Sequence, residues 1–110
     1  MAKRNQYVEY LLEQLAGLGT LRAKAMFGGY GFYCDEIFFA IVVNDILYIK
    51  ADAQSKEEFT RLGLAPFSYH KKDGTPQSMA YYPPPDTALE EPEEMIIWAK
   101  KGIAAALRQR

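Results

Sequence analysis

Few side chains in this sequence could carry catalytic chemistry. His70 is the single histidine and Cys34 the single cysteine of the chain. Ser78 could reach His70 across a hairpin, as a nucleophile reaches its base, but the sequence indicates no third residue to orient such a pair. Cys34 lies in an apolar and aromatic run that offers nothing to lower the pKa of its thiol. We therefore expect no enzyme, and a small-ligand site or an enzyme using His70 and Ser78 is the alternative.

Metal chemistry is not indicated by the residue types either. One histidine and one cysteine cannot close a zinc site. The carboxylates of residues 90–94 gather at a predicted helix start, where negative charge suits the helix dipole. A calcium site would need acidic residues spaced through a loop with a glycine turn. We predict no metal and no cofactor.

Three glycines stand among large apolar side chains at residues 26–31, in a segment that otherwise predicts strand. Glycine weakens a strand unless the backbone bends, takes a positive φ or approaches another surface closely. The spacing matches neither a phosphate-binding loop nor a dinucleotide fingerprint. We predict a structural bend or bulge, with a close-approach ligand site as the alternative, formed by Met26, Phe27, Gly28, Gly29 and Gly31.

Aromatic rings alternate with positive charge around one predicted hairpin. Rings can stack on bases and lysines can neutralise phosphates, and the hairpin carries Tyr69, Lys71, Lys72, Tyr81 and Tyr82. A formal net charge of −1 and the acidic Asp73 beside the lysines argue against binding driven by phosphate contacts. Direct nucleic-acid binding by the segment from Tyr69 to Tyr82 stays as an alternative.

Length and composition indicate one ordinary globular domain. The 110 residues are 49% apolar and 25% charged, which suits a single core, and we predict one domain over residues 1–110. A single cysteine excludes an intramolecular disulfide and suits a reducing compartment. The first residues lack the continuous apolar segment of a signal peptide, and no run approaches the roughly 20 apolar residues of a membrane-spanning helix. We therefore predict a cytoplasmic protein without membrane contact.

The elements that position these residues follow from hydrophobic periodicity and turn residues. Helices are predicted at residues 3–16, at a short segment capped by Ser55 and Glu58 and anchored by Phe59 and Leu62, and from Pro92 onward. Strands are predicted at residues 37–43, 46–50, 67–72 and 77–82. Residues 23–27 and 30–34 form either one bent strand or two short ones. The order α-βββ-α-ββ-α predicts a two-layer α+β domain on an antiparallel sheet.

Residues 37–43 are apolar at every position, so both faces of this predicted strand need a cover. The helices of a two-layer domain cover one face. The cover of the second face would be the final helix, a second copy of the chain or another protein. We assign one set of side chains to the core: Phe39, Ile41 and Leu47. The second face then carries the other set: Phe38, Val42 and Tyr48.

Several short segments occur in a fixed order along nearly the whole chain: KAMFGGYG at residues 24–31, FA at 39–40 leading into LYIKAD at 47–52, PFSY at 66–69, SMAYY at 78–82 before the prolines, and WA at 98–99. By these segments the chain resembles the N-terminal domain of the TfoX/Sxy family of bacterial competence regulators. The resemblance implies the same α-βββ-α-ββ-α order. Members often carry arginine in place of Lys24 and often continue into a helical C-terminal domain, whereas this sequence ends at Arg110.

The resemblance also implies a function. It indicates a non-enzymatic regulatory domain in the transcriptional control of DNA-uptake competence, with the cyclic AMP receptor protein or RNA polymerase as its protein partner. A homodimer is a further arrangement in which the second sheet face would be covered. We predict a contact surface made by six side chains: Lys24, Tyr30, Tyr69, Lys71, Lys72 and Tyr82.

Overall fold

The computed structural model describes residues 6–26 and 28–109. Phe27 and the predicted helix start at residues 3–5 therefore lie outside the described residues. Three α-helices are described: α1 (Gln6–Gln14), α2 (Lys56–Thr60) and α3 (Pro92–Arg108). The strands of the described ranges are β1 (Leu21–Met26), β2 (Gly29–Cys34), β3 (Ile37–Val43), β4 (Ile46–Lys50), β5 (Ser68–His70), β6 (Pro76–Ser78) and β7 (Tyr81–Tyr82).

Five of these strands form one antiparallel sheet in the order β1-β2-β3-β4-β7, and β5 pairs with β6 in a separate two-stranded sheet. The predicted α+β class with an antiparallel sheet is confirmed. Of the two alternatives predicted for residues 23–34, the structure has two strands, β1 and β2, which pair as a hairpin. Two other strand predictions differ in detail: residues 67–72 contain the shorter strand β5, and residues 77–82 are divided between β6 and β7.

A kink at Ala80 divides the last predicted strand. The amide of Tyr81 donates to the carbonyl of Met79 at 2.7 Å, a bond between residues two apart that closes a γ-turn. The carbonyl of Ala80 accepts from the amide of Ala51 at 2.8 Å. The chain thus leaves the β5–β6 hairpin and joins the edge of the large sheet next to β4.

Two tight turns connect the central strands. Asp35 and Glu36 link β2 to β3, Asn44 and Asp45 link β3 to β4, and all four residues have positive φ between 49° and 68°. Two-residue loops with positive φ at both positions match the right-handed twist of antiparallel strands. Aspartate and asparagine tolerate this conformation better than most residues, so both predicted hairpins form.

The helices cover one face of the sheet. Gly102 lets α3 lie directly on β3 and β4, because a Cβ atom there would stand 2.8 Å from the carbonyl oxygen of Phe39 and 2.7 Å from Ile49 Cγ2. Side chains from α1 and Met95 of α3 fill the same core. The largest fully buried side chains are Phe32, Phe39, Phe59, Leu11, Leu15, Leu47, Ile49, Met95, Val8 and Val42. Within the described ranges, no helix has the length and apolar character needed to cross a bilayer.

The capping predicted for α2, by Ser55 and Glu58, is wrong. Ser55 precedes the helix but its side chain makes no capping bond; its hydroxyl accepts from the Asp52 amide at 3.1 Å, and its own amide donates to the Asp52 carboxylate at 2.9 Å. Glu58 forms an ion pair with Lys101 at 2.6 Å. Phe59 is fully buried as predicted, whereas Leu62 lies beyond the end of the helix and is 54% exposed.

A β-bulge determines which side chains of β3 face the core. Tyr33 pairs with Phe38 and Phe32 pairs with Ala40, so Phe39 is an extra residue in β3. An extra residue shifts the alternation of faces by one position beyond the bulge. Val42 therefore points into the core, and Ile41 lies on the opposite face, which reverses the prediction for these two residues.

Candidate functional site

The side of the sheet that the helices leave uncovered is the candidate site. One row of paired residues runs across β1 to β4: Lys24 pairs with Gly31, Gly31 with Ile41, and Ile41 with Tyr48. Paired residues in an antiparallel ladder project from the same face of the sheet. We call the face that carries Lys24, Ile41 and Tyr48 the open face.

Gly31 shapes the middle of the open face. A Cβ atom there would lie 2.6 Å from Met26 Cε and 2.8 Å from Phe38 Cε1. These distances are shorter than van der Waals contact, so glycine lets Met26 and Phe38 lie against the strand, and a larger residue would displace them. The third glycine of the segment thus supports packing on the open face.

The aromatic rings of the open face contact one another. Phe38 is stacked on Tyr33 at 5.1 Å between ring centroids and lies 6.4 Å from Tyr81. The guanidinium carbon of Arg22 stands 4.4 Å from the Tyr33 centroid, and the ammonium of Lys50 stands 5.1 Å from the Tyr81 centroid. Because neighbouring rings and cations already occupy these π faces, the cluster does not offer the free stacking platform that single-stranded nucleic acid uses.

The β5–β6 hairpin and Phe67, the residue before β5, cover one part of the open face. An apolar cleft lies beside them. Phe67 packs edge-on against Tyr48 at 5.0 Å and stacks with Tyr69 at 6.2 Å. The chain itself therefore supplies part of the cover, through a segment that was not among the three predicted covers. Between these residues and the sheet lies a cavity of about 420 Å³, a size typical of ligand pockets, which is lined by Ile41, Val43, Phe67, Tyr69 and Met79. Tyr69 is 43% exposed and Met79 is 41% exposed at its rim.

The open face carries positive charge without compensating carboxylates on its strands. None of the five strands of the large sheet contains aspartate or glutamate, whereas Arg22, Lys24 and Lys50 belong to β1 and β4. Arg22 forms an ion pair at 2.8 Å with Glu36, in the turn between β2 and β3. A hydrogen bond to that carboxylate is the main cause of the raised pKa of Arg22. Lys24 and Lys50 form no ion pair among the described residues.

Negative charge is concentrated at the start of the last helix. Five carboxylates fall within residues 86–94, in the turn before α3 and in its first turn: Asp86, Glu90, Glu91, Glu93 and Glu94. A near-neutral chain thus carries separated positive and negative regions. This separation is not visible in the net charge of −1.

The six predicted contact residues do not form one surface. Lys24 is exposed on the open face, whereas Tyr30 pairs with Val42 and packs against the core on the other side of the sheet. Tyr82 is only 6% exposed and stacks on Phe59 at 5.2 Å. The remaining three lie along the β5–β6 hairpin, where all are exposed: Tyr69, Lys71 and Lys72.

Sequence reasoning missed Met79 and the floor of the cleft. Met79 was part of a predicted strand with no assigned role, and Ile41 was expected in the core. The available signal was a single methionine after the polar residues 70–78, in a segment too polar to bury it. Exposed apolar side chains of this kind are informative when they adjoin one another.

The fold does not pair His70 with Ser78, the two side chains of the enzymatic alternative. The hairpin register places Ser78 opposite Ser68 and His70 opposite Pro76. Burial, followed by the nearby Asp35 charge, raises the pKa of the Cys34 thiol, which favours the unreactive protonated form. Among residues 6–26 and 28–109, no three histidine, cysteine, aspartate or glutamate side chains are grouped as a metal site would need.

The glycine segment forms the turn of the β1–β2 hairpin instead of a bend within one strand. Gly28 has a φ of 73° and open space around it. A Cβ atom on Gly29 would lie 2.1 Å from the carbonyl oxygen of Val42. Positive φ and close approach, two of the three reasons expected for glycine here, are therefore both present. The approaching group is the backbone of β3.

Two comparisons with known proteins each found a match. A family model described as TfoX N-terminal domain matches residues 13–106. Protein Sxy of Escherichia coli (strain K12) is 29% identical to the chain over 98 residues. The matched region makes up 89% of this chain and 46% of Protein Sxy, so the chain spans about half the length of this curated relative.

Proposed function

This chain belongs to the family of TfoX N-terminal domains, and from this premise we propose that it is a non-enzymatic regulatory domain whose open face contacts a protein partner. Its setting is the bacterial cytoplasm, and its role is in the transcriptional control of DNA-uptake competence. The similarity to Protein Sxy and the family resemblance support that role. By the same resemblance, the partner is the cyclic AMP receptor protein or RNA polymerase.

The observation that carries the proposal is the apolar cleft on the face that the helices leave uncovered. Its rim exposes Tyr69 and Met79, and its floor is the apolar pair Ile41 and Val43. Adjoining exposed apolar side chains mark interaction sites more often than isolated ones do. Aromatic residues and methionine are also enriched at protein interfaces. A protein surface that covers this cleft would remove both exposed side chains from water.

Direct nucleic-acid binding remains the second candidate because of one feature. Lys71 and Lys72 are exposed at the end of the β5–β6 hairpin, close in sequence to the exposed ring of Tyr69. This arrangement offers two cations and one ring to a nucleic acid. It lacks Tyr82, which is buried, and the rings of the open face are engaged with one another.

A binding experiment with purified components separates the two candidates. The immobilised chain is presented with the cyclic AMP receptor protein, with RNA polymerase, and with short single- and double-stranded DNA at low and high salt. We expect one of the proteins to bind, Met79→Asp to weaken that binding, and Leu62→Asp to leave it unchanged. Leu62 is the matched control, because it is an exposed apolar residue away from the cleft.

Two results would contradict the proposal. Retention of DNA that falls steeply with salt, and that is lost when Lys71 and Lys72 are replaced by glutamine, would favour direct binding. Protein binding that Leu62→Asp abolishes and Met79→Asp preserves would move the contact to the helical side of the domain.

A further inference from the structure

We propose that the open face takes an acidic segment of its protein partner, which inserts one large apolar side chain into the cleft between Ile41 and Met79. This inference rests on the proposed function and names the chemistry of the partner. It follows from two properties of the open face: the apolar character of the cleft and the sign of the charges around it.

The cleft matches the type of pocket that a single anchor side chain fills. Its lining is apolar except for the phenol of Tyr69, and its volume of about 420 Å³ leaves room for a large side chain. Binding energy at protein interfaces is concentrated in such anchors, which are buried in pockets and surrounded by weaker contacts. Val43 and Phe67 would contact the inserted group from the sheet and from the hairpin region.

The charges beside the cleft favour a negatively charged segment. Lys24 lies in the same row as Ile41 and two strands away, which is roughly 10 Å across the sheet. Lys50 lies two residues beyond Tyr48, the partner of Ile41, which is about 7 Å along β4. Carboxylates on either side of an inserted anchor would therefore meet a lysine in each direction. The large sheet has no carboxylate in its strands to repel them.

Other occupants fit the open face less well. Nucleic acid would need ring faces for its bases, and Tyr33, Phe38 and Tyr81 are engaged with neighbouring rings or cations. A face-to-face pair of two copies would bring like-charged lysines together, and juxtaposed like charges oppose association. An acidic segment of another protein avoids both conflicts.

Selection from a displayed library of random linear peptides tests the inference without knowledge of the partner. The folded chain is the target, and the Met79→Asp variant is used for counter-selection. We expect enrichment of peptides in which aspartate or glutamate flanks one leucine, phenylalanine or tryptophan. A library that yields basic peptides or no enriched family would overturn the inference.

Charge-reversal variants then locate the interaction. For a labelled peptide from the selection, Lys24→Glu with Lys50→Glu should weaken binding by about tenfold, because two attractions become two repulsions. The matched control, Lys56→Glu with Lys100→Glu, changes exposed lysines on the helical side and should leave the affinity unchanged. Equal effects of the two double variants, or displacement of the peptide by oligothymidine, would overturn the assignment.

A failure of the inferred partner chemistry and a failure of the proposed function give different results. If no acidic peptide is selected while a purified partner protein still binds and loses binding in Met79→Asp, the inferred chemistry is wrong and the protein-contact function stands. If a purified partner protein binds and Met79→Asp leaves that binding unchanged, both are wrong.

Discussion

Gly28 and Gly29 are neighbours with different structural requirements. Gly28 has a positive φ of 73° and no atom near its absent side chain, so an L-residue there would strain only the backbone. Gly29 faces the Val42 carbonyl so closely that any Cβ atom would clash with backbone. Strain at one residue can be absorbed locally, whereas relief of a backbone clash must separate β2 from β3.

The first prediction compares alanine at the two positions. Gly28→Ala should lower the free energy of unfolding by about 1–2 kcal/mol, the cost of a left-handed conformation for an L-residue. Gly29→Ala should lower it by clearly more. Urea unfolding at neutral pH measures both, with Gly74→Ala, which has an open site and a φ of 88°, as the control for Gly28. Equal losses at Gly28 and Gly29 would contradict the account of the turn.

Tyrosines show why the sequence predicted a contact surface only in part. Tyr69 and Tyr82 both stand in segments that contain a second aromatic residue, and their residue type does not distinguish them. The kink at Ala80 sends Tyr82 into the core against Phe59, while Tyr69 stays on the hairpin at the rim of the cleft. This distinction depends on a tertiary turn, so periodicity alone could not make it.

The central strands were the elements that the sequence predicted best. Residues 37–43 and 46–50 form strands with the predicted bounds, because apolar runs and two-residue polar turns specify a hairpin locally. The faces of β3 were harder to predict. One extra residue at Phe39 exchanged the positions of Ile41 and Val42. A bulge has no simple sequence pattern, yet it decides which side chains reach the cleft.

The second prediction concerns the contact between α3 and the sheet. Replacement of glycine by alanine within a helix normally stabilises it by about 1 kcal/mol. At Gly102 the added methyl group would press on Phe39 and Ile49, and overpacking costs typically about 1–3 kcal/mol. Gly102→Ala should therefore lower the melting temperature, while Lys100→Ala on the exposed side of α3 should change it little. A higher melting temperature for Gly102→Ala would show that α3 is less closely packed than described.

The third prediction concerns the ion pair that ties the end of α3 to the loop before α2. Arg108 donates to both carboxylate oxygens of Asp52, at 2.6 Å and 3.0 Å. This contact, supported by Ser55, holds the pKa of Asp52 well below its usual range. The ionised carboxylate therefore stabilises the fold above its unfolded pKa of about 3.9, and the stabilisation is lost as pH falls through the lower folded value.

Asp52→Asn tests this linkage, since asparagine can still accept a hydrogen bond from the Ser55 amide. The variant should be less stable than the parent chain at neutral pH, and the difference should narrow as pH falls below about 4. Thermal unfolding across a pH series measures it, with Asp86→Asn as an exposed carboxylate control. A difference that stays constant down to strongly acidic pH would exclude the ion pair as its source.

For the whole molecule, the class and family were predictable from the sequence and the site was not. Regular apolar spacing predicted helices on an antiparallel sheet, and the ordered segments pointed to the TfoX family that the family model matches. The cleft is assembled from β3, from the residue that precedes β5, from β5 itself and from the kinked segment after β6. Its residues are far apart in the chain, and no local pattern joins them. The separation of charge between the sheet and the start of α3 likewise emerges only when the strands are placed side by side.

The central claim is that the open face binds a protein, and capture from bacterial lysate, with and without nuclease treatment, tests it most directly. The tagged chain, Met79→Asp and Leu62→Asp are compared at equal loading, and the retained proteins are identified by mass spectrometry. The partner is named in advance as the cyclic AMP receptor protein or RNA polymerase. We expect the chain and Leu62→Asp to retain this partner after nuclease treatment, and we expect Met79→Asp to lose it. Retention that needs intact nucleic acid, or that Met79→Asp leaves unchanged, would contradict the account.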